Sequence, residues 1–467
     1  MKTNIPFLSK AHWLALRAYP GRAAQVVRRS NVAAMTGNTA YSLVLRFGSN
    51  IILTRLLAPS EFGVMLVVLT VLTIFTMLSE TGIHAYTVRT PEATTPESLR
   101  TLHTIQILRG VLIAACVFVF AGFFANLFGK EDLKPVFQAV AILPLVGGFA
   151  GLGPTLMNRQ RRQRYNEGVK VVVVTIQTVL TLALAYWLRN SWALIIGMIS
   201  SAPLQLLANK AAYDFPILQF GFHRSTIRKL TTFSKYIFLS TILTLILSQF
   251  DKAFISSKFD LTVAGLYSLA FSISQVLVQF TQKYNSSILY ADLAALHRDG
   301  KLNRHSFYSE MWRIRSFLAF IAGGAITYGP TFFAVIFDER YQGAGVFFSI
   351  LVLRSVLLSF KLPHQTVLIA LGNTRSKFIG DLLQLAYVVI MAPLGFHFFG
   401  AYGLAFAAAT YELPSLIYCT ILSRKVQMLS LKQEGITALA LGVGVAVGIA
   451  GAFGTDVVLS YFFPQGY

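Results

Sequence analysis

Residues 62–78 read FGVMLVVLTVLTIFTML, from Phe62 to Leu78 without a charged side chain. A helix rising 1.5 Å per residue needs about 20 apolar residues to cross a hydrocarbon core of about 30 Å. Runs of this kind recur along the chain, whose 467 residues are 55% hydrophobic and 13% charged. A soluble chain of this length would have about a quarter of its residues charged, and the mean hydropathy of +0.61 points the same way. The runs are too long for strands, and a lone backbone crossing lipid must satisfy its own hydrogen bonds as a helix.

Worked outward from that stretch, spans are expected near 36–57, 62–83, 103–127, 135–156, 170–188 and 192–210. A second set is expected near 233–253, 263–283, 314–336, 344–370, 376–398 and 401–422, and a last apolar stretch runs from Ile436 to about Phe453. The expected fold class is an all-α polytopic membrane protein of about thirteen transmembrane helices, with twelve or fourteen as the alternatives. The expected division is a basic cytoplasmic segment (1–34), a six-helix lobe (35–212), a cytoplasmic connector (213–232), a second six-helix lobe (233–424) and an extra C-terminal transmembrane segment (425–467). Within 1–34, Trp13, Leu14, Leu16 and Tyr19 among Lys10, Arg17 and Arg22 suit a helix lying in the inner interface. No cleavable signal is expected there.

The formal net charge is +21, from 40 Lys and Arg against 19 Asp and Glu. With the N-terminus inside, cytoplasmic segments hold about 29 of the basic residues, outer loops about 7 and spans about 4. That asymmetry is the positive-inside pattern, with Arg159, Arg161, Arg162 and Arg164 the strongest local signal. The charge therefore faces membrane lipids, and no basic domain remains for nucleic acid. Cys116 and Cys419 both lie in apolar runs and support neither a disulfide framework nor a metal site.

The two halves repeat. Phe123-Phe124-Ala125-x-x-Phe128 recurs as Phe332-Phe333-Ala334-x-x-Phe337, and Arg162-Gln163-Arg164-Tyr165 as Arg375-Ser376-Lys377-Phe378. Gly63 corresponds to Gly265 and Pro203 to Pro414, in the same order along the chain. Six spans per half make the repeats parallel, the design of carriers that alternate access between two sides.

Between the first two spans the chain reads Leu56-Leu57-Ala58-Pro59-Ser60-Glu61-Phe62-Gly63. This turn, after a first span containing Arg46, resembles the polysaccharide transporter family of the multidrug/oligosaccharidyl-lipid/polysaccharide flippase superfamily. The likeness covers about residues 35–425; the matching turn of the second half, Asp260 to Gly265, lacks the proline. The resemblance implies two six-helix lobes around a central cavity. It also implies transfer of undecaprenyl-pyrophosphate-linked oligosaccharide across the bacterial inner membrane, for O-antigen, capsule or exopolysaccharide assembly. Polysaccharide polymerases and glycosyltransferases would then be partners.

A pyrophosphate head needs fixed cations to leave water, and ionisable residues inside spans are costly and functional by default. Arg46, Arg109, Arg354 and Lys361 are the candidates. Arg354 and Lys361, seven residues apart, fall on one helix face about 10 Å apart. Gln275, Gln279 and Gln282 form a polar stripe suited either to sugar hydroxyls or to helix contacts. The acids Glu80, Asp381 and Glu412 are expected either to pair with these cations or to bind a coupling H⁺ or Na⁺, Glu412 being nearest mid-span. Asp251 and Lys252 are expected as a pair at the outer interface, and Gly442, Gly444, Gly448 and Gly451 as a close-packing face. His84, His103, His364 and His397 fit interfacial or packing roles, since their spacing matches no zinc site.

No nucleotide-binding loop is present, so no cofactor is expected beyond a coupling ion. The competing readings are a multidrug or cation antiporter of the same superfamily, and a membrane glycosyltransferase, polymerase or ligase. The first calls for buried acids, whereas the buried set is mainly cationic. The second calls for a loop able to hold a catalytic constellation, and the longest cytoplasmic segment, about 284–313, reads instead as an interfacial helix.

Overall fold

The structure is a computed structural model that describes residues 21–159, 163–212 and 220–462. All regular structure among these residues is helical, so each span satisfies its own backbone, as hydrocarbon demands. The principal helices are α1 (Gly21–Leu56), α2 (Pro59–Leu78), α3 (Pro96–Val119), the short pair α4 (Lys134–Val140) and α5 (Ile142–Phe149), α6 (Gln163–Leu188) and α7 (Ser191–Ala212). There follow α8 (Arg224–Lys258), α9 (Leu261–Lys283), α10 (Arg304–Ile336), α11 (Ala344–Ala370), α12 (Arg375–Thr410), α13 (Leu413–Lys425) and α14 (Leu431–Phe462).

Among the described residues, ten segments are long and apolar enough to cross a bilayer. The difference from thirteen has two sources. One segment, Arg375–Lys425, is 51 residues long, about 75 Å if straight and more than twice a hydrocarbon core. It is not straight. At Gly400 the backbone takes φ 56° and ψ −129°, a conformation open to glycine and closed to L side chains. Beyond it the chain doubles back: a Cβ on Gly395 would lie 2.6 Å from the Gly403 carbonyl oxygen, and one on Gly403 would lie 1.9 Å from that of Gly395. The other two expected spans, 36–57 and 233–253, fall within helices α1 and α8, which are not among these ten apolar segments. Trp13 to Tyr19, Arg161 and Arg162 lie outside the described residues.

The helices turn large apolar side chains outward: Trp187 is 80% exposed and Val119 and Phe399 are each 72% exposed. Contiguous surfaces of this kind are a liability in water and are what a lipid-facing bundle presents. The chain is a multi-pass membrane protein.

Contacts group the chain into two compact units. The first comprises residues within 1–49, 75–126 and 131–239, the second 50–74, 127–130 and 240–467. In the first, α3 meets α5 at small residues, where a Cβ on Gly110 would lie 2.5 Å from the Pro144 carbonyl oxygen. The segment entering α8 is tied to α3 by backbone donors, Gly221 N–H to Thr104 Oγ1 and His223 N–H to Thr101 Oγ1, each at 3.0 Å.

In the second unit, α14 packs along α10. A Cβ on Gly444 would lie 2.1 Å from the Phe320 carbonyl oxygen, and one on Gly448 would lie 2.1 Å from Thr327 Oγ1. Gly442, expected on the same packing face, has nothing within 4 Å, and Gly451 meets Tyr328 only at 3.6 Å. The close face is thus narrower than the glycine spacing suggests, since residues 442 and 444 point about 200° apart on a helix. The segment expected as an interfacial helix contains a short helix, Tyr290–Arg298. The adjoining Leu289, with Leu293 on that helix, packs against Phe307, Tyr308 and Met311 of α10.

Candidate functional site: a buried charge cluster in the second unit

Glu412, at the junction of α12 and α13, is 3% exposed. Its Oε2 accepts from Lys361 Nζ at 2.6 Å and from Gln384 Nε2 at 2.7 Å, and its Oε1 accepts from Arg354 at 3.4 Å. The two cations, expected on one face of α11, therefore converge on one carboxylate. A charge this deep persists only when paired and hydrogen-bonded, and Glu412 draws its three donors from α11 and α12. The Arg354 guanidinium also lies over the Tyr411 ring, 4.8 Å from its centroid.

Arg354 continues the network toward α8 and α9. A small cavity of about 10 Å³ is lined by Arg354, Asp251, Lys252, Ser248, Gln275 and Tyr411, among others. That is room for about one water molecule, so in this conformation the cavity itself cannot hold a phosphate group. Asp251 and Lys252 form the expected pair, but at 3% and 8% exposed they are buried among protein side chains. Lys252 bonds Asp251 at 3.3 Å and the Ser248 carbonyl at 2.5 Å, and its ammonium lies 4.1 Å from the Phe271 ring centroid. Tyr267 donates its hydroxyl to Asp251. These residues sum to three cations (Lys252, Arg354, Lys361) against two acids (Asp251, Glu412). The cluster carries one net positive charge.

The remaining candidates lie elsewhere. Glu80 pairs with Arg109 at 3.3 Å, and Arg109 also donates to Ser79 Oγ at 3.0 Å and to the Thr76 carbonyl at 2.6 Å, capping α2. Asp381 pairs with Lys377 one turn away at 2.7 Å. Arg46 is exposed on α1. Of the glutamines, Gln275 lines the small cavity, Gln279 is half-buried and Gln282 is exposed.

A second buried cluster escaped the sequence reading. Glu434, at the start of α14, accepts from Arg315 through both oxygens and from Tyr308 at 2.7 Å, and lies 3.3 Å from His364 Nε2. Arg315 and His364 are 3% and 1% exposed. The sequence signal was present: an acid heading the last apolar stretch and an arginine at the very start of span nine both call for a partner.

The family model described as "polysaccharide biosynthesis protein" matches residues 52–346. The chain belongs to this family. It is 25% identical over 281 residues to the succinoglycan biosynthesis transport protein ExoT of Rhizobium meliloti, a match spanning 58% of this chain and 56% of that one. The chain thus aligns with little more than half of ExoT. It is 19% identical over 371 residues to the lipopolysaccharide biosynthesis protein WzxC of Escherichia coli, covering 78% and 74% of the two chains. Among solved structures, the lipid II flippase MurJ in an inward closed conformation superposes with a TM-score of 0.71 at 11% identity, over 92% of this chain and 99% of that one. That likeness is one of fold.

Proposed function

We propose that this protein is a flippase moving lipid-pyrophosphate-linked oligosaccharide units across the bacterial inner membrane for surface polysaccharide assembly. It would do so by alternating access, as a carrier and not an enzyme. In this reading the N-terminus is cytoplasmic and about thirteen spans are used, eleven from the ten apolar segments and one each from α1 and α8. Membership of the polysaccharide biosynthesis family carries the assignment. The transport name of ExoT, the flippase fold and the cation-rich cluster support it.

The substrate head bears at least two negative charges, and desolvating it needs cations already held in place. The cluster around Arg354 supplies one net positive charge and, once the water-sized cavity widens, the guanidinium is the group left facing it. Lys361 holds Glu412, which keeps that carboxylate from neutralising Arg354 alone. Arg46 and Arg109 provide further anion contacts, and Gln275, Gln279 and Gln282 provide contacts for sugar hydroxyls. Glu412, Asp381 and Glu80 act in charge pairing, with Glu412 the candidate for coupling to H⁺ or Na⁺. Membrane lipids surround the carrier, and polymerases and glycosyltransferases work before and after it.

The test is binding in nanodiscs, measured by native mass spectrometry with undecaprenyl-pyrophosphate-oligosaccharide, its uncharged polyprenol analogue and a lipophilic cation. Retention of the pyrophosphate species alone, weakened by Arg354→Ala, is expected. Preference for the cation would move the protein to the multidrug branch of the fold.

A further inference from the structure

The two Phe-Phe-Ala motifs of the repeat end spans three and nine, and each is followed by a turn carrying one cation. In the first turn Lys130 donates to the carbonyls of Ser256 at 2.9 Å and Phe259 at 3.2 Å, at the C-terminal end of α8. In the second, Arg340 donates to the carbonyls of Thr54 at 3.2 Å and Arg55 at 3.4 Å, at the C-terminal end of α1, and Tyr341 donates to the Leu57 carbonyl at 3.0 Å. Each repeat therefore caps the first helix of the other. The orphan carbonyls and negative dipole end of a helix favour a cation at that position. Asp338 fixes the Arg340 guanidinium from below, accepting from Nε at 2.7 Å.

Between the two caps the second helices of the repeats touch with the same reciprocity. A Cβ on Gly63 would lie 2.0 Å from the Leu261 carbonyl oxygen, and one on Gly265 would lie 1.7 Å from that of Pro59. Pro59 and Gly63 of α2 thus meet Leu261 and Gly265 of α9 backbone to backbone. The contact is sealed on one side by Phe62 against Tyr341, ring centroids 5.6 Å apart. All of these residues lie in the second unit, at the helix ends expected to face outward.

We infer that Lys130 and Arg340, with the Gly63–Gly265 contact between them, form a two-sided clasp that holds the outward end of the transport path shut, and that both caps must release for it to open. The inference rests on the transport reading for its purpose, but its geometry and its test need no substrate. Two weak caps arranged symmetrically suit a gate, because each is strong enough to bias the closed state and neither is too strong to break in a transport cycle.

The reporter is Ser256→Cys in a background with Cys116 and Cys419 replaced by alanine. Ser256 is fully buried in the closed clasp, and its hydroxyl has no hydrogen-bond partner among the described residues, so the substitution loses little. The purified protein in nanodiscs is treated with a polar maleimide. Lys130→Ala and Arg340→Ala should each raise the labelling rate at position 256 by about threefold, and the pair by about tenfold, as independent C-terminal caps would. A reporter at Ser415→Cys, also fully buried but away from the clasp, should stay unlabelled in every variant. If the double variant does not fold, the milder Lys130→Met and Arg340→Gln are read singly against the same thresholds. Labelling at position 256 within twofold of the parent, or an equal rise at both reporters, would overturn the clasp.

Discussion

Replacing Glu412 with glutamine keeps its size and most of its hydrogen-bonding reach while removing the charge that neutralises α11. The side chains of Glu412 and Lys361 are only 5% and 6% exposed, so water cannot substitute for the lost carboxylate. Lys361 would then have a neutral partner, and the cluster would hold three cations against Asp251 alone. Breaking one side of a buried pair typically costs about 3–5 kcal/mol, or two to three and a half powers of ten in the folding equilibrium at about 1.4 kcal/mol per decade. The double variant Glu412→Gln/Lys361→Met removes the stranded ammonium as well, and should recover at least half of that loss. Fluorescence-monitored unfolding in mixed micelles with increasing SDS measures both. A loss under about 1 kcal/mol for Glu412→Gln, or a double variant no more stable than the single one, would refute the view that Glu412 is the keystone of this network.

Three further outcomes follow from the same geometry. Gly444→Ala drives a methyl toward the Phe320 carbonyl and should cost about 1–3 kcal/mol, whereas Gly442→Ala, with open space around it, should be neutral or slightly stabilising; the same unfolding assay compares them. Asp338 lies outside the spans, and its carboxyl is held below its ordinary value of 3.8, chiefly by the hydrogen bond from Arg340. A depressed folded-state value stabilises above the unfolded value and is lost as pH falls through the folded one; the melting-temperature deficit of Asp338→Asn should thus be full from about pH 5 upward and shrink as the pH falls below 3.8. Arg46→Ala removes an exposed side chain and should leave melting unchanged while lowering substrate retention in nanodiscs, so a melting shift with unchanged retention would mark Arg46 as structural.

Most of the spans were legible because a bilayer imposes length and composition on each of them separately. What lay beyond sequence was pairing across long separations. Lys361 and Arg354 could each be flagged as a costly buried cation, but their shared partner lies 51 and 58 residues away, and no local pattern joins them. Asp251 and Lys252 read as a span boundary because two charges close an apolar window; the Tyr267 hydroxyl and Arg354, beside the same small cavity, bury the pair within the protein. Gly63 and Gly265 were matched as equivalent positions from motif order, yet their contact is with backbone carbonyls, which any residue supplies and no composition reveals. The caps made by Lys130 and Arg340 were hidden for the same reason. The glycine spacing of α14 overstated its packing face, since only the turn that meets α10 excludes a side chain.

The most direct test of the account is translocation in proteoliposomes of a fluorescent undecaprenyl-pyrophosphate-oligosaccharide, followed by its accessibility to an enzyme or quencher confined to one side. The account predicts transfer by the intact protein, and its loss in an Arg354→Ala variant that still folds. Absence of transfer for every pyrophosphate-linked glycan tried, alongside uptake of cationic dyes, would contradict it.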